Sequence, residues 1–192
     1  MSDTASNTEK PSMKQAVLRW VLDIALAVVI TWLITLAFRP TIVVETSMLP
    51  NFKAHDYLFI SRLSYRNEKL PRKGDVIVFR SDLLDEKGRK KLLIKRVIGL
   101  PNDVIDIRDG EVYINGKKDS QSYTKDGVTP GLVVSYRVPK GCVYCLGDNR
   151  VASVDSRSPE VGAIKTSRIV GKVVFRVYRF NKFGPIHNPY QS

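Results

Sequence analysis

The chain has 192 residues, 43% of them hydrophobic, with 31 Lys and Arg against 19 Asp and Glu, a formal net charge of +12. That apolar share excludes an intrinsically disordered chain, and two cysteines exclude a disulfide-stapled mini-protein. With two histidines and two cysteines a four-ligand zinc site is hard to build, so no metal and no other cofactor is expected.

Residues 1–15 are polar and aperiodic and read as a disordered tail. Residues 16–38 read as a transmembrane anchor. Within them Trp20–Phe38 carries one charge, Asp23, and at ~1.5 Å per residue it spans about 28 Å, close to the ~30 Å hydrocarbon core. The run exceeds the ~7–15 apolar residues of a signal-peptide core, and it lacks the polar face of a buried soluble helix. Lys10, Lys14 and Arg19 precede it and suggest a cytoplasmic N-terminus. The remainder then lies on the outer face, which disfavours a nucleic-acid partner. Acidic and basic residues cancel over 1–38, so the whole +12 belongs to residues 39–192, where it reads as a lipid-facing or general surface property.

From residue 39 to 182 the expectation is one mostly β domain, an antiparallel sandwich or barrel. Short Val-, Ile-, Tyr- and Phe-rich runs recur: Thr41–Val44, Tyr57–Ile60, Val76–Phe79, Leu92–Ile98, Val104–Ile107, Val112–Ile114, Val133–Val138, Val143–Leu146 and Ile169–Phe180. Asp109-Gly110 and Asn115-Gly116 are two-residue hairpin signals. Residues 81–91 and 115–131 read as exposed loops or hairpin extensions, and 183–192 as an irregular tail. Cys142 and Cys145 sit an odd spacing apart on a strand, hence on opposite faces, so no mutual disulfide is expected.

Three segments carry candidate chemistry. Thr46-Ser47-Met48-Leu49-Pro50 places a serine on a turn stiffened by proline; alone, it also reads as an ordinary Ser-initiated turn. Flanking Pro50, Leu49 and Phe52 either touch the bilayer or, for Phe52, pack in the core. Leu92–Ile98 is an apolar strand with Lys95 and Arg96 at its centre, on opposite faces. A buried lysine is readily neutralised and can serve as a base; alone, the segment favours two cations whose stems cover apolar surface while their heads reach water. Gly147–Arg157 crowds carboxylates, amides, hydroxyls and guanidiniums, as a braced site or a well-bonded surface turn would. The only imidazoles, His55 and His187, lie in a polar loop and the C-terminal end, and a serine–lysine dyad needs neither. Ser122-Tyr123-Thr124-Lys125 matches an S-x-x-K motif by chance, because it lies in a turn-rich stretch rather than at a helix start.

Taken together and in order, these segments resemble the bacterial type I signal peptidases, or leader peptidases. The matching residues are Ser47–Pro50, Lys95–Pro101, and Gly147–Arg150 with Ser153, Asp155, Ser156 and Arg157; Lys73–Val76 and Asp109–Lys117 also fit. The resemblance spans the chain from the anchor to Phe180. It implies a largely antiparallel β fold on the bacterial plasma membrane, with exported preproteins and membrane lipid as partners. Ser47 is implied as nucleophile and, through its N–H, oxyanion donor, with Lys95 as general base. Ser153 is implied to hydrogen-bond the Lys95 amine, Asp155 and Arg157 to pair, and Asp148, Asn149 and Arg96 to support the site. A substrate with a small-x-small motif, such as Ala-x-Ala, is implied to run past Val44, Glu45, Met48 and Ile94.

Departures from the family pattern are Asn51 for the usual Thr, Asn102 for Gly, and Glu45 where Ser or Gly often supplies a second oxyanion donor. Two rival readings are a self-cleaving repressor, which would carry an N-terminal DNA-binding helix-turn-helix in place of the anchor, and a non-catalytic membrane-tethered basic module.

Overall fold

The structure is a computed structural model that describes residues 12–65, 69–178 and 182–191. The tail expected over 1–15 therefore lies almost wholly outside the described residues. The chain divides into two compact units, Met1–Ala37 and Phe38–Ser192.

The first unit contains one helix, α1, Met13–Ala37. It starts three residues before the expected anchor because Ser12 and Gln15 form a reciprocal cap: Gln15 N donates to Ser12 Oγ at 3.4 Å and Ser12 N to Gln15 Oε1 at 3.1 Å. No residue of α1 is buried, and the helix is long and apolar enough to cross a membrane. Its two threonines return their hydroxyls to the helix, Thr31 to Ala27 O and Thr35 to Trp32 O, which removes the cost of a bare hydroxyl in hydrocarbon. Pro40 disfavours helix for the residue before it, and the chain switches to strand at Phe38.

The second unit is built from β1 (Phe38–Ile42), β2 (Tyr57–Ser61), β3 (Val76–Leu84), β4 (Lys90–Gly99), β5 (Val104–Arg108), β6 (Glu111–Ile114), β7 (Lys117–Lys118), β8 (Val133–Arg137), β9 (Cys142–Leu146), β10 (Ile164–Lys165), β11 (Ile169–Arg176) and β12 (Gly184–Pro185). All pairings are antiparallel. An eight-stranded sheet runs β1-β2-β11-β3-β4-β9-β10, with β12 added to β11, and a four-stranded sheet runs β7-β6-β5-β8. The hairpin turns expected at Asp109-Gly110 and Asn115-Gly116 have positive φ at both positions, 53° and 77°, then 52° and 76°, the geometry that matches strand twist.

Several boundaries differ from expectation. The first strand ends at Ile42, so Val43 and Val44 leave the sheet. Residues 81–91 take the hairpin-extension form of their expectation: β3 and β4 continue to a turn in which Asp85 accepts from the N–H groups of Lys87 and Arg89. The last long strand stops at Arg176, and positions 179–180 of that expectation lie outside the described residues. The C-terminal stretch is not irregular throughout, since β12 pairs with β11 there.

Strand alternation explains the core. On β3, Val76 and Val78 face one way and join Val43, Met48, Phe52, Leu58, Ile60 and Val173. Ile77 and Phe79 face the other way and join Leu93, Val97, Val143 and Cys145. A third cluster unites Ile98, Tyr144 and Leu146 of the large sheet with Ile105, Ile107, Val112 and Ile114 of the small one. Phe52 is therefore a core residue, at 1% exposure, under the Arg176 guanidinium at 4.9 Å; the bilayer contact entertained for it does not occur, and Leu49 is half-buried. Cys142 and Cys145 are free and buried.

Candidate active site

The Ser47 turn is held from below by apolar packing and from the side by polar bonds. Met48 is fully buried in the core, which pins the residue next to the serine. Phe52 N donates to Met48 O at 2.9 Å and Leu49 N to Thr46 O at 3.2 Å. From across the site, Asn149 N donates to Ser47 O at 3.0 Å and Asn149 Nδ2 to Thr46 O at 3.1 Å. Ser47 itself is 3% exposed, and among the described residues nothing accepts its N–H.

Lys95 and Arg96 do not reach water as the strand alone favours. Both are buried, and their opposite faces give them different partners. Lys95 shares a face with Leu93 and Val97, sits opposite Ile77 on β3, and donates from Nζ to Ser47 Oγ at 2.7 Å. It makes no ion pair among the described residues. Loss of hydration on burial pushes its pKa below the ordinary lysine value, while the more distant charges of Glu45, Asp155 and Asp148 pull the other way. Arg96 instead meets Asp148 with two bonds, Nε to Oδ1 at 2.8 Å and Nη2 to Oδ2 at 2.6 Å, and donates to Gly74 O at 2.9 Å. Arg stays charged when buried and its fork fits a carboxylate, whereas burial lowers a lysine's pKa. Adjacent cations on one strand thereby meet different surroundings.

The Gly147–Arg157 segment closes the site. A Cβ on Gly147 would lie 2.5 Å from Ser47 O and 2.2 Å from Ser153 Oγ, so only glycine lets these two approach one backbone. Gly147 N donates to Asp155 Oδ2 at 3.0 Å, and Asp155 pairs with Arg157 at 2.8 Å. The hydroxyl of Ser153 departs from expectation: it is buried without a hydrogen-bond partner, and the bond to the Lys95 amine is not made. Asn51, where Thr is usual in the resembling family, donates to Asp148 Oδ2 at 2.8 Å and to Tyr123 O at 2.6 Å, tying the serine turn to the Arg96–Asp148 pair. Asn102 holds the left-handed backbone, φ 71°, that Gly would otherwise supply.

An open cleft of about 750 Å³ lies beside this cluster, lined by Val43, Val44, Glu45, Val78, Leu92 and Ile94 among others. One wall runs in the chain through Glu45 toward Ser47, the other through Ile94 into Lys95. Of the four residues implied as substrate contacts, Val44, Glu45 and Ile94 line the cleft, whereas Met48 is core at 0% exposure. The Glu45 carboxylate points toward Lys91, 3.9 Å away. Both imidazoles are exposed, and among the described residues no group of His, Cys, Asp and Glu is placed to hold a metal ion.

Sequence reasoning counted Arg150 among the matching residues but gave it no role; it is 2% exposed and donates to Gly147 O, Gln121 Oε1, Thr129 Oγ1 and Tyr123 OH. Its side-chain acceptors lie on the 115–131 segment, which lacks any periodicity that would flag them.

A serine hydroxyl bonded to a buried amine without an ion pair is the equipment of a hydrolase that forms acyl esters on serine. Residues 17–178 match the family described as signal peptidase, peptidase S26. The chain is 36% identical to signal peptidase I of Bacillus caldolyticus, over 86% of this chain and 92% of that protein. It is 33% identical to signal peptidase IB of Staphylococcus aureus, over 92% and 97%. A crystal structure of a signal peptidase I from Enterococcus faecalis is similar at 30% identity, TM-score 0.44, covering 55% of this chain and 97% of that one. The family match and the two signal peptidase relatives define a serine peptidase, and its N-terminal apolar helix fits a membrane-anchored protein. The chain belongs to the signal peptidase family, peptidase S26.

Proposed function

We propose that the chain removes N-terminal signal peptides from exported preproteins with Ser47 as nucleophile and neutral Lys95 as general base. Signal peptide removal is the family's activity; the observation that carries the residue assignment is the 2.7 Å bond between a buried amine without an ion pair and Ser47 Oγ. Lys95 Nζ takes the Ser47 proton as Oγ attacks the carbonyl carbon before the cut. The Ser47 N–H, for which no described residue offers an acceptor, holds the resulting oxyanion. The C–N bond then breaks, the ammonium of Lys95 returns its proton to the leaving amine, and an acyl ester remains on Ser47. Lys95 next takes a proton from water as hydroxide attacks the ester; the Oγ–C bond breaks, Lys95 returns the proton to Ser47 Oγ, and the signal peptide leaves with a new carboxyl end.

Free strand edges support an extended substrate. β4 pairs with β9 only from Arg96 onward, so Leu92–Ile94 has one unpaired side, and a peptide can add there as a strand. Its alternate side chains would enter the cleft beside Val44 and Ile94, which suits small residues before the cut. Glu45 as a carboxylate cannot donate to the oxyanion. The N-terminus is cytoplasmic, and the β domain lies on the outer face of the bacterial plasma membrane.

The test is to incubate the purified full chain, in detergent at mildly alkaline pH, with a precursor ending its signal in Ala-x-Ala. Wild type yields the mature protein, while Ser47→Ala and Lys95→Ala fall to background with folding intact. Folded wild type that leaves the precursor whole, or Ser47→Ala that still cuts, refutes the assignment.

A further inference from the structure

The C-terminal stretch, unused by the mechanism above, reaches back under the charged pair next to Lys95. Asn188 is buried and donates from Nδ2 to Lys73 O at 2.9 Å. Its Oδ1 accepts from Tyr190 N at 2.9 Å, which locks the turn between them. Both side chains cover Gly74: a Cβ there would lie 1.9 Å from Asn188 Oδ1 and 2.7 Å from Tyr190 Cδ2. Gly74 O is also the third acceptor of Arg96, at 2.9 Å.

A second line of contact runs through the phenols. Tyr190 OH donates to Asp119 Oδ1 at 2.7 Å, Tyr123 OH to Asp119 Oδ2 at 3.1 Å, and the two hydroxyls are 3.1 Å apart. The Tyr123 ring lies under the Arg96 guanidinium at 4.9 Å, and Tyr123 O accepts from Asn51 on the serine turn. Burial keeps both phenols protonated, Tyr123 pushed up to about 12 and Tyr190 further, so each remains a donor to the Asp119 carboxylate.

We infer that Asn188–Tyr190 is a positioning clip for catalysis: by holding Gly74 on one side of Arg96 and Tyr123 on the other, it sets the Arg96–Asp148–Asn51 bridge that aligns Lys95 with the Ser47 turn. This rests on the Ser47–Lys95 reading. Tyr190 touches neither substrate nor the reacting atoms, and the lining of the cleft contains no residue of the clip. Its loss therefore acts on the chemical step rather than on substrate binding.

The experiment compares full-length wild type, Tyr190→Phe, Tyr190→Ala and the exposed control Gln191→Ala on an internally quenched Ala-x-Ala peptide, with thermal unfolding of each. Tyr190→Phe keeps the ring and loses one hydrogen bond, so kcat falls about 3- to 10-fold. Tyr190→Ala also uncovers Gly74, and kcat falls about 100-fold, the scale of a small misalignment, with KM within about twofold. Gln191→Ala matches wild type. If Tyr190→Ala keeps wild-type kcat, or loses activity only in proportion to its unfolded fraction at the assay temperature, the clip is a fold brace and the inference is overturned. A rise in KM at constant kcat overturns it as well. A wild-type chain that cuts nothing overturns the dyad itself, and the clip with it.

Discussion

Lys95→Met removes one amine and keeps nearly the same length and volume, so it isolates the energetic consequence of burying that amine. In the wild type Lys95 is fully buried, faces Leu93, Val97 and Ile77, and has one hydrogen bond. Its folded pKa is depressed from the ordinary 10.5. Between the folded and unfolded values the unfolded chain binds a proton that the folded chain does not, so wild-type stability rises with pH across that window and levels off above 10.5. At pH 7 the variant escapes that penalty, each pH unit of which is worth about 1.4 kcal/mol. It loses one hydrogen bond, about 1 kcal/mol. A depression of about one pH unit already outweighs the lost bond, so the variant is expected to melt above wild type at pH 7. At pH 10.5 the gain vanishes or reverses by about 1 kcal/mol, the lost bond alone. Circular dichroism melts of the full chain in detergent at pH 7, 8.5 and 10.5 measure this, with peptide cleavage absent throughout. A variant less stable than wild type at pH 7, or a difference that ignores pH, would sink the claim that burial lowers this amine's pKa.

The pH profile of kcat/KM should rise through a limb set by Lys95, on the acid side of 10.5 because burial lowers that pKa; a limb at or above the free lysine value contradicts the burial argument. Gly147→Ala places a methyl against Ser47 O and Ser153 Oγ, and a folded chain with at least about 100-fold lower kcat/KM is expected. Asp148→Asn leaves Arg96 buried without its counter-charge, costing about 3–5 kcal/mol in denaturant unfolding. Phe52→Ala should cost about 3–5 kcal/mol and reduce cleavage of membrane-bound precursor and soluble peptide equally, since the ring is in the core.

The legible part of the sequence obeyed periodicity and turn chemistry. The β class, the Asn-Gly and Asp-Gly hairpins and the opposite faces of Lys95 and Arg96 all come from local rules that the sheet obeys. The strand containing both cations showed why local rules stop there. Alternation assigns faces, but it does not reveal that Asp148 and Ser47 approach from 52 and 48 residues away, and without them water was the cheaper destination for both heads. Phe52 was ambiguous, and Met48 was placed against the substrate instead of in the core, for the same reason, since a turn residue's burial depends on what the rest of the chain lays over it. The Ser12/Gln15 cap, which accounts for the early start of the helix, was passed over when residues 1–15 read as a tail. Asn51 stood out only as a departure from a family pattern; its two hydrogen bonds, to Asp148 and Tyr123, require three segments that share no sequence signal.

The bonds of this site have an order in time as well as in space. Ser47 O receives its hydrogen bond from Asn149, Thr46 O from a side chain 103 residues later, and Asn51 bonds to Asp148, 97 residues on. During synthesis the serine turn and even the lysine strand are made long before the segment that aligns them. A nascent or clipped chain lacking residues 147–157 would carry Ser47 without its setting. Long-range closure thus orders assembly: the serine turn has all of its hydrogen bonds only after the Gly147–Arg157 segment is in place.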